Sequence, residues 1–336
     1  MKRITLLFAL IGAWGAVLAQ SGNVSNINTR GDENSNEVTQ AGENISVINQ
    51  GQGVIGFSNN SDARVTQEGD DNNAYTEQDG ERNDARTLQE GNNQNAYTDQ
   101  NGNRNRSFTE QVGDDNTANV YQEGLLNQSD VIQANGRNNH TEVTQDGNGN
   151  ASLVGQGSVT GAVPSNYNEA YVEQSGNLNS SSIGQLGGSN NYAEVFQDGN
   201  FNNSDVGQLL GNENRAEVYQ EGGNHNSILG QIGGDGNEAY VDQRGSGHYS
   251  LIGSLFGDIN IVEVDQYGNS HSSEIGVIGS ENAIIVNQRG GMHISTIGIT
   301  GNTNMVDVQQ RGSMNVSDVS IIGNGNNCNV NQGLTP

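Results

Sequence analysis

Four of the five histidines in this 336-residue chain recur at one interval, and imidazole is a group that could do chemistry there. They are separated by 22 or 23 residues, and each stands six residues before a position that is usually glutamine. The four are His225, His248, His271 and His293. A column of imidazoles could bind a metal ion or respond to pH near its ordinary pKa of about 6.5. The alternative is that histidine replaces the asparagine found at this point elsewhere, as at Asn179 and Asn202.

No other set of residues has the composition of a catalytic or cofactor site. Cys328 is the single cysteine and stands where the repeat usually has alanine, which favours a small buried residue over a reactive thiol. Acidic pairs such as Asp70 and Asp71 could attract divalent cations, but solvated charge that restrains association is the preferred interpretation. No pairing of nucleophile with base, phosphate-binding loop or zinc-ligand spacing is found. The sequence therefore predicts a protein that is not an enzyme and needs no cofactor.

Glutamine is the most regularly spaced residue. It recurs every 11 residues from Gln67 to Gln122, then at steps of 11 or 12 as far as Gln243 with one step of 18, and from there at steps of 22 or 23 to Gln332. The series comprises Gln67, Gln78, Gln89, Gln100, Gln111, Gln122, Gln133, Gln145, Gln156, Gln174, Gln185, Gln197, Gln208, Gln220, Gln231, Gln243, Gln266, Gln288, Gln310 and Gln332. The glutamine place is taken elsewhere by Ser254, Val277, Ile299 and Ile321. These 20 glutamines and 4 substitutes make 24 half-repeats, or 12 repeats.

The residues before each glutamine alternate in character, as in a β-strand with one buried face. In the repeat that ends at Gln174, positions of one parity hold Ala170 and Val172, and those of the other parity hold acids and a tyrosine. Turn formers such as Gly199 and Asn200 follow the glutamines, and both residue types tolerate positive φ. Each repeat is therefore predicted to be strand, turn, strand, turn.

Stacking of these repeats predicts an all-β fold, a β-solenoid of about 12 coils with two strands per coil of 22 or 23 residues. Each strand would pair in parallel and in register with equivalent strands about 4.8 Å above and below. Identical inward side chains then form columns, and glutamine amides bond to one another along the axis as in cross-β ladders. Without such a ladder a buried glutamine is costly. The glutamine series is therefore predicted to be a structural amide ladder.

The two strand columns are predicted to present different outer faces. The column that contains Gln174 and Gln197 carries outward acids and tyrosines, and Tyr75 is predicted to stack on Tyr97 as a surface ladder or an adhesive contact. The other column carries outward glycines at 155, 184, 207, 230, 253, 276 and 298. These glycines either avoid crowding on a flat sheet or form a smooth face for lateral contact between rods.

The composition excludes several classes of protein. Only 31% of the residues are hydrophobic, 48 are glycine, and the formal net charge is -26. A chain of this kind cannot bury the apolar surface of a conventional α/β enzyme core or of a polytopic membrane protein, so it must be stabilised by repetition or remain disordered. The 39 acidic residues against 13 basic ones would repel phosphates, which predicts no nucleic-acid partner.

The start of the chain has the pattern of a targeting segment. Lys2 and Arg3 precede an apolar run that ends in small residues, which predicts a signal peptide over 1–19, with a membrane anchor as the alternative. The other predicted segments are a candidate secretion tag over 20–35, degenerate first repeats over 36–66, solenoid repeats over 67–332 with a loop insertion at 157–168, and a C-terminal tail over 333–336. The segment 20–35 also has a faint repeat character, at Asn26, Asn28, Gly31 and Asn34.

The repeat resembles that of the curlin family, the subunits of curli-type bacterial amyloid fibres. The repeat of that family has Ser, Gln, Gly, Asn, Ala and Gln at fixed offsets. The segment Gln67-x-Gly69-x-x-Asn72-x-Ala74-x-x-x-Gln78 is very similar to it. The chain departs from the pattern at the 18-residue step and in the apolar replacements near its C-terminus.

Over roughly residues 36–332, the resemblance implies a secreted structural subunit that polymerises with itself. It implies a nucleator subunit, an outer-membrane secretion channel and periplasmic chaperones as partners. It also implies an extracellular fibre on a Gram-negative bacterium that serves biofilm matrix, adhesion and aggregation. The alternatives are a monomeric secreted β-solenoid adhesin and a polysaccharide-binding β-helix protein. If the histidine column responds to pH, assembly is predicted to slow below pH ~6.5.

Overall fold

The computed structural model describes residues 22–51, 58–157, 165–255 and 257–333, which contain strands and no helix. In chain order the strands are β1 (Val24–Thr29), β2 (Ser35–Ala41), β3 (Ile45–Gln50), β4 (Ser58–Asn59), β5 (Asp62–Glu68), β6 (Asn73–Glu81), β7 (Asp84–Asn92), β8 (Asn95–Asn103), β9 (Arg106–Asp114), β10 (Thr117–Leu125), β11 (Gln128–Arg137), β12 (His140–Asn148), β13 (Ala151–Gly157), β14 (Ser165–Asn166), β15 (Glu169–Asn177), β16 (Ser180–Leu186), β17 (Gly188–Ser189), β18 (Tyr192–Asn200), β19 (Asn203–Leu209), β20 (Arg215–Gly223), β21 (Asn226–Ile232), β22 (Glu238–Ser246), β23 (Tyr249–Leu255), β24 (Ile261–Asn269), β25 (Ser272–Ile278), β26 (Ala283–Gly291), β27 (Ile294–Thr300), β28 (Met305–Ser313), β29 (Val316–Ile322) and β30 (Asn327–Gln332).

The strands alternate between two parallel sheets, so that one strand of each sheet makes a coil. Sheet A has the order β1-β3-β6-β8-β10-β12-β15-β18-β20-β22-β24-β26-β28-β30. Sheet B has the order β2-β5-β7-β9-β11-β13-β16-β19-β21-β23-β25-β27-β29. The short strands lie beside this path, with β4 paired to β6 and β14 paired to β17. The described strands therefore form a β-solenoid of about 13 turns.

Neighbouring strands within each sheet pair equivalent residues in parallel. Gln174 lies opposite Gln197, and Gln197 lies opposite Gln220. In the described strands the register shifts at a bulge between Ala134 and Gly136, where β11 pairs with β9. The predicted β-solenoid with parallel, in-register ladders is confirmed.

The stack begins half a coil earlier than the glutamine pattern indicated. β1 lies inside the segment 20–35, which is predicted as a candidate secretion tag with faint repeat character, and it pairs in register with β3. In this pairing Thr29 lies opposite Gln50, so no glutamine marks the strand. Glutamine periodicity alone could not reveal β1. The half-repeats counted from Gln67 give 12 coils, β2 and β3 of the degenerate first repeats add a thirteenth, and β1 extends sheet A by one strand more.

The corners between strands require left-handed backbone. Gly199 has a φ of +128°, and a Cβ there would lie 1.8 Å from the carbonyl oxygen of Gly222 in the next coil. Only glycine fits a corner stacked this closely. Left-handed φ values of 57° to 59° also occur at the bulky corner residues Leu178, Phe201 and Ile259, which the sequence did not mark as turn formers. Such a conformation costs a non-glycine residue about 1–2 kcal/mol.

The space between the sheets is narrow and is filled by small inward side chains. A continuous apolar cluster extends from Ala118 to Ile321, and a smaller one near the N-terminal end includes Val38 and Ile48. Between the two clusters several inward positions are threonine, namely Thr76, Thr87, Thr98 and Thr109. These N-terminal coils therefore bury less apolar surface than the C-terminal coils, which depend more on apolar burial.

Several predicted segments fall wholly or partly outside the described residues: the signal peptide over 1–19, most of the loop insertion at 157–168, and residues 334–336 of the C-terminal tail. At the edges of the insertion, Gly157 ends β13 and Ser165 begins β14. In the described part of the chain, no helix has the length and apolar character needed to cross a membrane.

Candidate functional site: the amide and imidazole columns

The inward glutamines form two hydrogen-bonded columns, one in each sheet. At each step the Nε2 of one glutamine donates to the Oε1 of the glutamine in the following coil, at 2.7–3.0 Å. Column A contains Gln50, Gln78, Gln100, Gln122, Gln145, Gln174, Gln197, Gln220, Gln243, Gln266, Gln288, Gln310 and Gln332. Column B contains Gln40, Gln67, Gln89, Gln111, Gln133, Gln156, Gln185, Gln208 and Gln231. All 20 glutamines of the predicted series lie in these columns, and Gln40 and Gln50 extend them.

Each ladder amide also ties the two sheets together. The Nε2 of Gln220 donates a second hydrogen bond to the carbonyl oxygen of Asn203 at 3.0 Å, and that of Gln197 does the same to Ser180 at 3.0 Å. Both glutamines are fully buried, yet the acceptor and both donors of each amide have partners. The ladder therefore removes the cost of burying the amide and fixes the register of the coils.

Column B changes character towards the C-terminal end of the stack. After Gln231, the glutamine place is occupied by Val277, Ile299 and Ile321, which join the apolar core. Apolar side chains need no hydrogen-bond partner, so these coils are held by burial where the earlier ones are held by amides. The Nε2 of Gln231 donates to the carbonyl oxygen of Asn237 at 3.0 Å.

Asparagines at the corners form further hydrogen-bonded columns. The Oδ1 of Asn179 accepts the backbone N–H of Asn202 at 3.1 Å. Its Nδ2 donates to the carbonyl oxygens of Ser175 and Gly199, both at 3.0 Å. In the sequence these columns correspond to the asparagine that stands six residues before most of the glutamines.

The four predicted histidines lie in one of these corner columns and stack face to face. Neighbouring ring centroids are 4.9 Å apart, with planes within 6° of parallel. Each Nδ1 accepts the backbone N–H of the next corner residue at 3.2–3.3 Å, and each Nε2 donates to the carbonyl oxygen four residues earlier at 3.0–3.2 Å. A corner asparagine such as Asn179 likewise accepts the next corner N–H and donates to the carbonyl oxygen four residues earlier. Neutral imidazole therefore takes the place of the amide. Because both ring nitrogens are engaged, neither presents a free lone pair to a metal ion.

Burial opposes protonation of the imidazoles. Exclusion from water lowers the pKa of His248 and of His271 to about 4, and it also lowers the pKa of His225. The neighbouring imidazoles lower the pKa of His248 and His271 further, because two stacked cations would repel. His248 and His271 therefore take up protons in the folded chain at a pH well below the ordinary imidazole value of about 6.5.

The outer face of sheet A carries stacked aromatic rings and crowded acids. The rings of Tyr75 and Tyr97 are parallel, with centroids 5.0 Å apart, and the series continues to Tyr121 at 5.2 Å. Burial, followed by repulsion from Glu77, raises the pKa of Asp99 to about 6. The face is therefore a ladder of rings and carboxylates, and electrostatic repulsion opposes its contact with another acidic surface.

The outer face of sheet B carries the predicted column of glycines. A Cβ added at Gly207, Gly276 or Gly298 would meet no atom within 4 Å, and the φ of these residues is not left-handed. The fold itself therefore does not require glycine there. At the C-terminal end, the glycines and the side chains of Ile278 and Ile322 line an open groove of about 330 Å³.

The remaining candidate residues show no arrangement for chemistry. Cys328 lies at an inward position opposite Val306 and is half-buried against the core. The acidic turn residues Asp70 and Asp71 are exposed. Within the described ranges, no three His, Cys, Asp or Glu side chains are grouped so as to hold a metal ion.

Comparison with known proteins places the repeats in a family. The model of the curlin associated repeat matches residues 59–86, 113–147, 188–222, 211–245, 234–268 and 257–290. The matched segments lie along both the threonine-rich and the apolar coils. No curated protein matches the chain significantly.

Proposed function

The chain belongs to the curlin repeat family, and from this we propose that it is the structural subunit of an extracellular functional amyloid, a curli-like fibre. The family is structural and not catalytic. The subunit joins others end to end, so that the two sheets of one copy continue into those of the next. The fibre serves biofilm matrix, cell adhesion and aggregation.

The open ends of the solenoid are the observation that supports this proposal best. Among the described strands, β30 pairs only with β28, and β29 pairs only with β27. Each therefore presents a row of backbone N–H and C=O groups to a further strand. Because column A holds glutamine at both of its ends, Gln50 and Gln332, another copy of this chain is a matching partner for sheet A.

Export and partners follow from the same family membership. The predicted signal peptide over 1–19 would direct the chain to the periplasm of a Gram-negative bacterium. Periplasmic chaperones, an outer-membrane channel and a nucleator subunit at the cell surface are the proposed partners, and nucleic acid is not. The net charge of -26 supports a chain that stays apart from its copies during export and joins them only through its ends.

Seeded growth tests the proposed assembly. Purified chain should form filaments after a lag, bind thioflavin, and lose the lag when fragments of its own filaments are added. Aligned filaments should give a reflection near 4.8 Å along the fibre axis, since every strand lies across it. A chain that stays monomeric with seeds present contradicts the proposal. Binding of that monomer to cell surfaces, or its retention on a polysaccharide column, would then support the adhesin or the β-helix alternative.

A further inference from the structure

The described stack ends in the same sheet at both ends. Sheet A has 14 strands in line, from β1 to β30, whereas sheet B has 13, from β2 to β29. If a second copy stacked its β1 on β30, sheet A would continue without interruption. Sheet B would then have an empty strand position between β29 and the second copy's β2. Strands on both sides of that position would lack hydrogen-bond partners over a whole step of about 4.8 Å.

β1 completes its end of the stack poorly. Column A stops at Gln50, whose Oε1 is buried and accepts no hydrogen bond, because Thr29 lies opposite it in place of a glutamine. A buried acceptor without a donor is destabilising. Val24 in β1 is 53% exposed, and Ile27 is only partly buried against the small N-terminal cluster. β1 is therefore a weakly held strand that covers an unsatisfied site.

β30 resembles β1 but carries the side chain that β1 lacks. The two sequences, VSNINT and NCNVNQ, share asparagine at the third and fifth positions and an aliphatic residue at the fourth. At the sixth position β1 has Thr29 and β30 has Gln332. The Oε1 of Gln332 accepts from Gln310 at 2.7 Å, and its Nε2 donates to the carbonyl oxygen of Val316 at 2.8 Å. The second N–H of this Nε2 can extend the ladder by one more step.

We propose that β1 is displaced when two copies join, and that β30 of one copy takes its place on β3 of the next. This inference rests on the proposed self-assembly. The incoming copy's β2 then pairs with β29, and its β3 pairs with β30. Each copy contributes 13 strands to each sheet, so both sheets cross the junction without a gap.

The columns set the register of this junction. The Nε2 of Gln332 donates to the Oε1 of Gln50 in the next copy, which gives that buried acceptor its missing donor. In the single chain the backbone N–H of Asn44 donates to the Oδ1 of Asn23 at 2.9 Å. At the junction it donates instead to the Oδ1 of Asn326 of the neighbouring copy. The exchange therefore keeps the corner bond and adds a ladder bond.

Strengthening β1 should slow this exchange. Thr29→Gln supplies a donor for Gln50 within the same chain, so displacement of β1 must break one more hydrogen bond. We expect seeded elongation to be about fivefold slower, the factor given by one ordinary hydrogen bond. Thr39→Gln, at an exposed position of β2, is the matched control and should leave the rate unchanged. Equal elongation rates for the two variants contradict the displacement of β1.

Disulfide trapping distinguishes the two junctions directly. In the proposed junction the unique Cys328 faces Ser46 of the next copy, whereas stacking of intact β1 on β30 would place it against Ser25. In-register Cα atoms about 4.8 Å apart fall within the range that a disulfide spans. The Oγ atoms of Ser25 and Ser46 both lack a hydrogen-bond partner, so Ser25→Cys and Ser46→Cys are equally mild changes. In a single chain, residues 46 and 328 lie about 12 steps apart, or roughly 60 Å, so they cannot bridge internally.

Filaments of parent, Ser46→Cys and Ser25→Cys chains are oxidised, dissolved in denaturant without reductant and separated by size. We expect a ladder of covalent multimers from Ser46→Cys only. Multimers from Ser25→Cys without multimers from Ser46→Cys would overturn the inference, because β1 would then remain in place at the junction. Filaments in which neither variant cross-links would also overturn it and would leave the proposed assembly intact. If the parent chain forms no filaments, the proposed function itself fails.

Discussion

At the scale of single residues, the fold depends on buried amides that bond to their own kind. Gln220 receives a hydrogen bond from Gln197 and donates to Gln243 and to the carbonyl oxygen of Asn203. Loss of this one side chain therefore leaves a donor and acceptors without partners inside a space from which water is excluded. The cost of such groups exceeds the modest net gain of an exposed hydrogen bond.

Gln220→Ala should lower the free energy of unfolding by about 2–4 kcal/mol, because it breaks ladder bonds and leaves a cavity. Gln128→Ala removes an exposed amide from the outer face of sheet B and should change stability by less than about 0.5 kcal/mol. Denaturant unfolding of the unassembled chain measures both changes. Equal effects of the two substitutions would show that the ladder contributes nothing beyond a surface glutamine.

The histidine column should make stability depend on pH. His248 and His271 have a folded pKa of about 4, below the ordinary value of about 6.5. Between these values the unfolded chain binds more protons than the folded one. Stability is therefore fully kept above pH ~6.5 and lost as pH falls towards 4, by about 3 kcal/mol for each of the two residues.

Replacement of all four histidines by asparagine should remove this loss, since asparagine makes the same two bonds without titrating. The free energy of unfolding is measured at pH 7.5 and at pH 4 for both proteins. Between these two pH values the parent should lose about 6 kcal/mol more than the variant loses. Carboxylates titrate alike in both proteins, so the difference between the two proteins isolates the column. Assembly rates over the same range should show the same ordering. Parallel pH dependences for parent and variant would contradict the assignment.

At the scale of strands, the sequence allowed the alternation of inward and outward residues and the pairing register to be predicted. Glutamines at steps of 11 or 12 residues can form continuous columns only if each strand pairs in register with the equivalent strand of the next coil. The sequence indicated β1 only faintly, through Asn26 and Asn28, because Thr29 occupies the glutamine place. It did not reveal left-handed φ at Leu178 and Phe201, since the demand for it comes from the coil above and not from the residue itself. The partners of the corner asparagines likewise depend on distances between coils that no local pattern contains.

The glycine column of sheet B supports a prediction about contacts between rods. Lysine at Gly207 and Gly276 meets no atom of its own chain, so the fold should tolerate it. If rods pack through this face, Gly207→Lys with Gly276→Lys should give single filaments where the parent gives bundles. Thr144→Lys with Asn287→Lys places the same charge on sheet A and is the control. Electron micrographs with equal bundling in both double variants would show that sheet B is not the contact face.

At the scale of the whole molecule, the rod is not uniform along its length. Threonines such as Thr87 and Thr98 interrupt the apolar core near one end, and isoleucines such as Ile297 and Ile299 fill it near the other. Burial of branched aliphatic side chains contributes about 1.5–3 kcal/mol each, so the C-terminal coils are the more stable part. The threonine-rich coils lie in the N-terminal half of the rod, separated from the β1 end by the small apolar cluster that includes Val38 and Ile48.

Every hydrogen bond between glutamines in the two columns runs from the Nε2 of one coil to the Oε1 of the next higher-numbered coil, and none in the described series is reversed. The side-chain amide dipoles are therefore aligned head to tail, and they add along the axis of the rod. Joining copies end to end preserves this alignment over any number of subunits. A filament built from this chain has electrically distinct tips, and filaments in suspension should orient in an applied field.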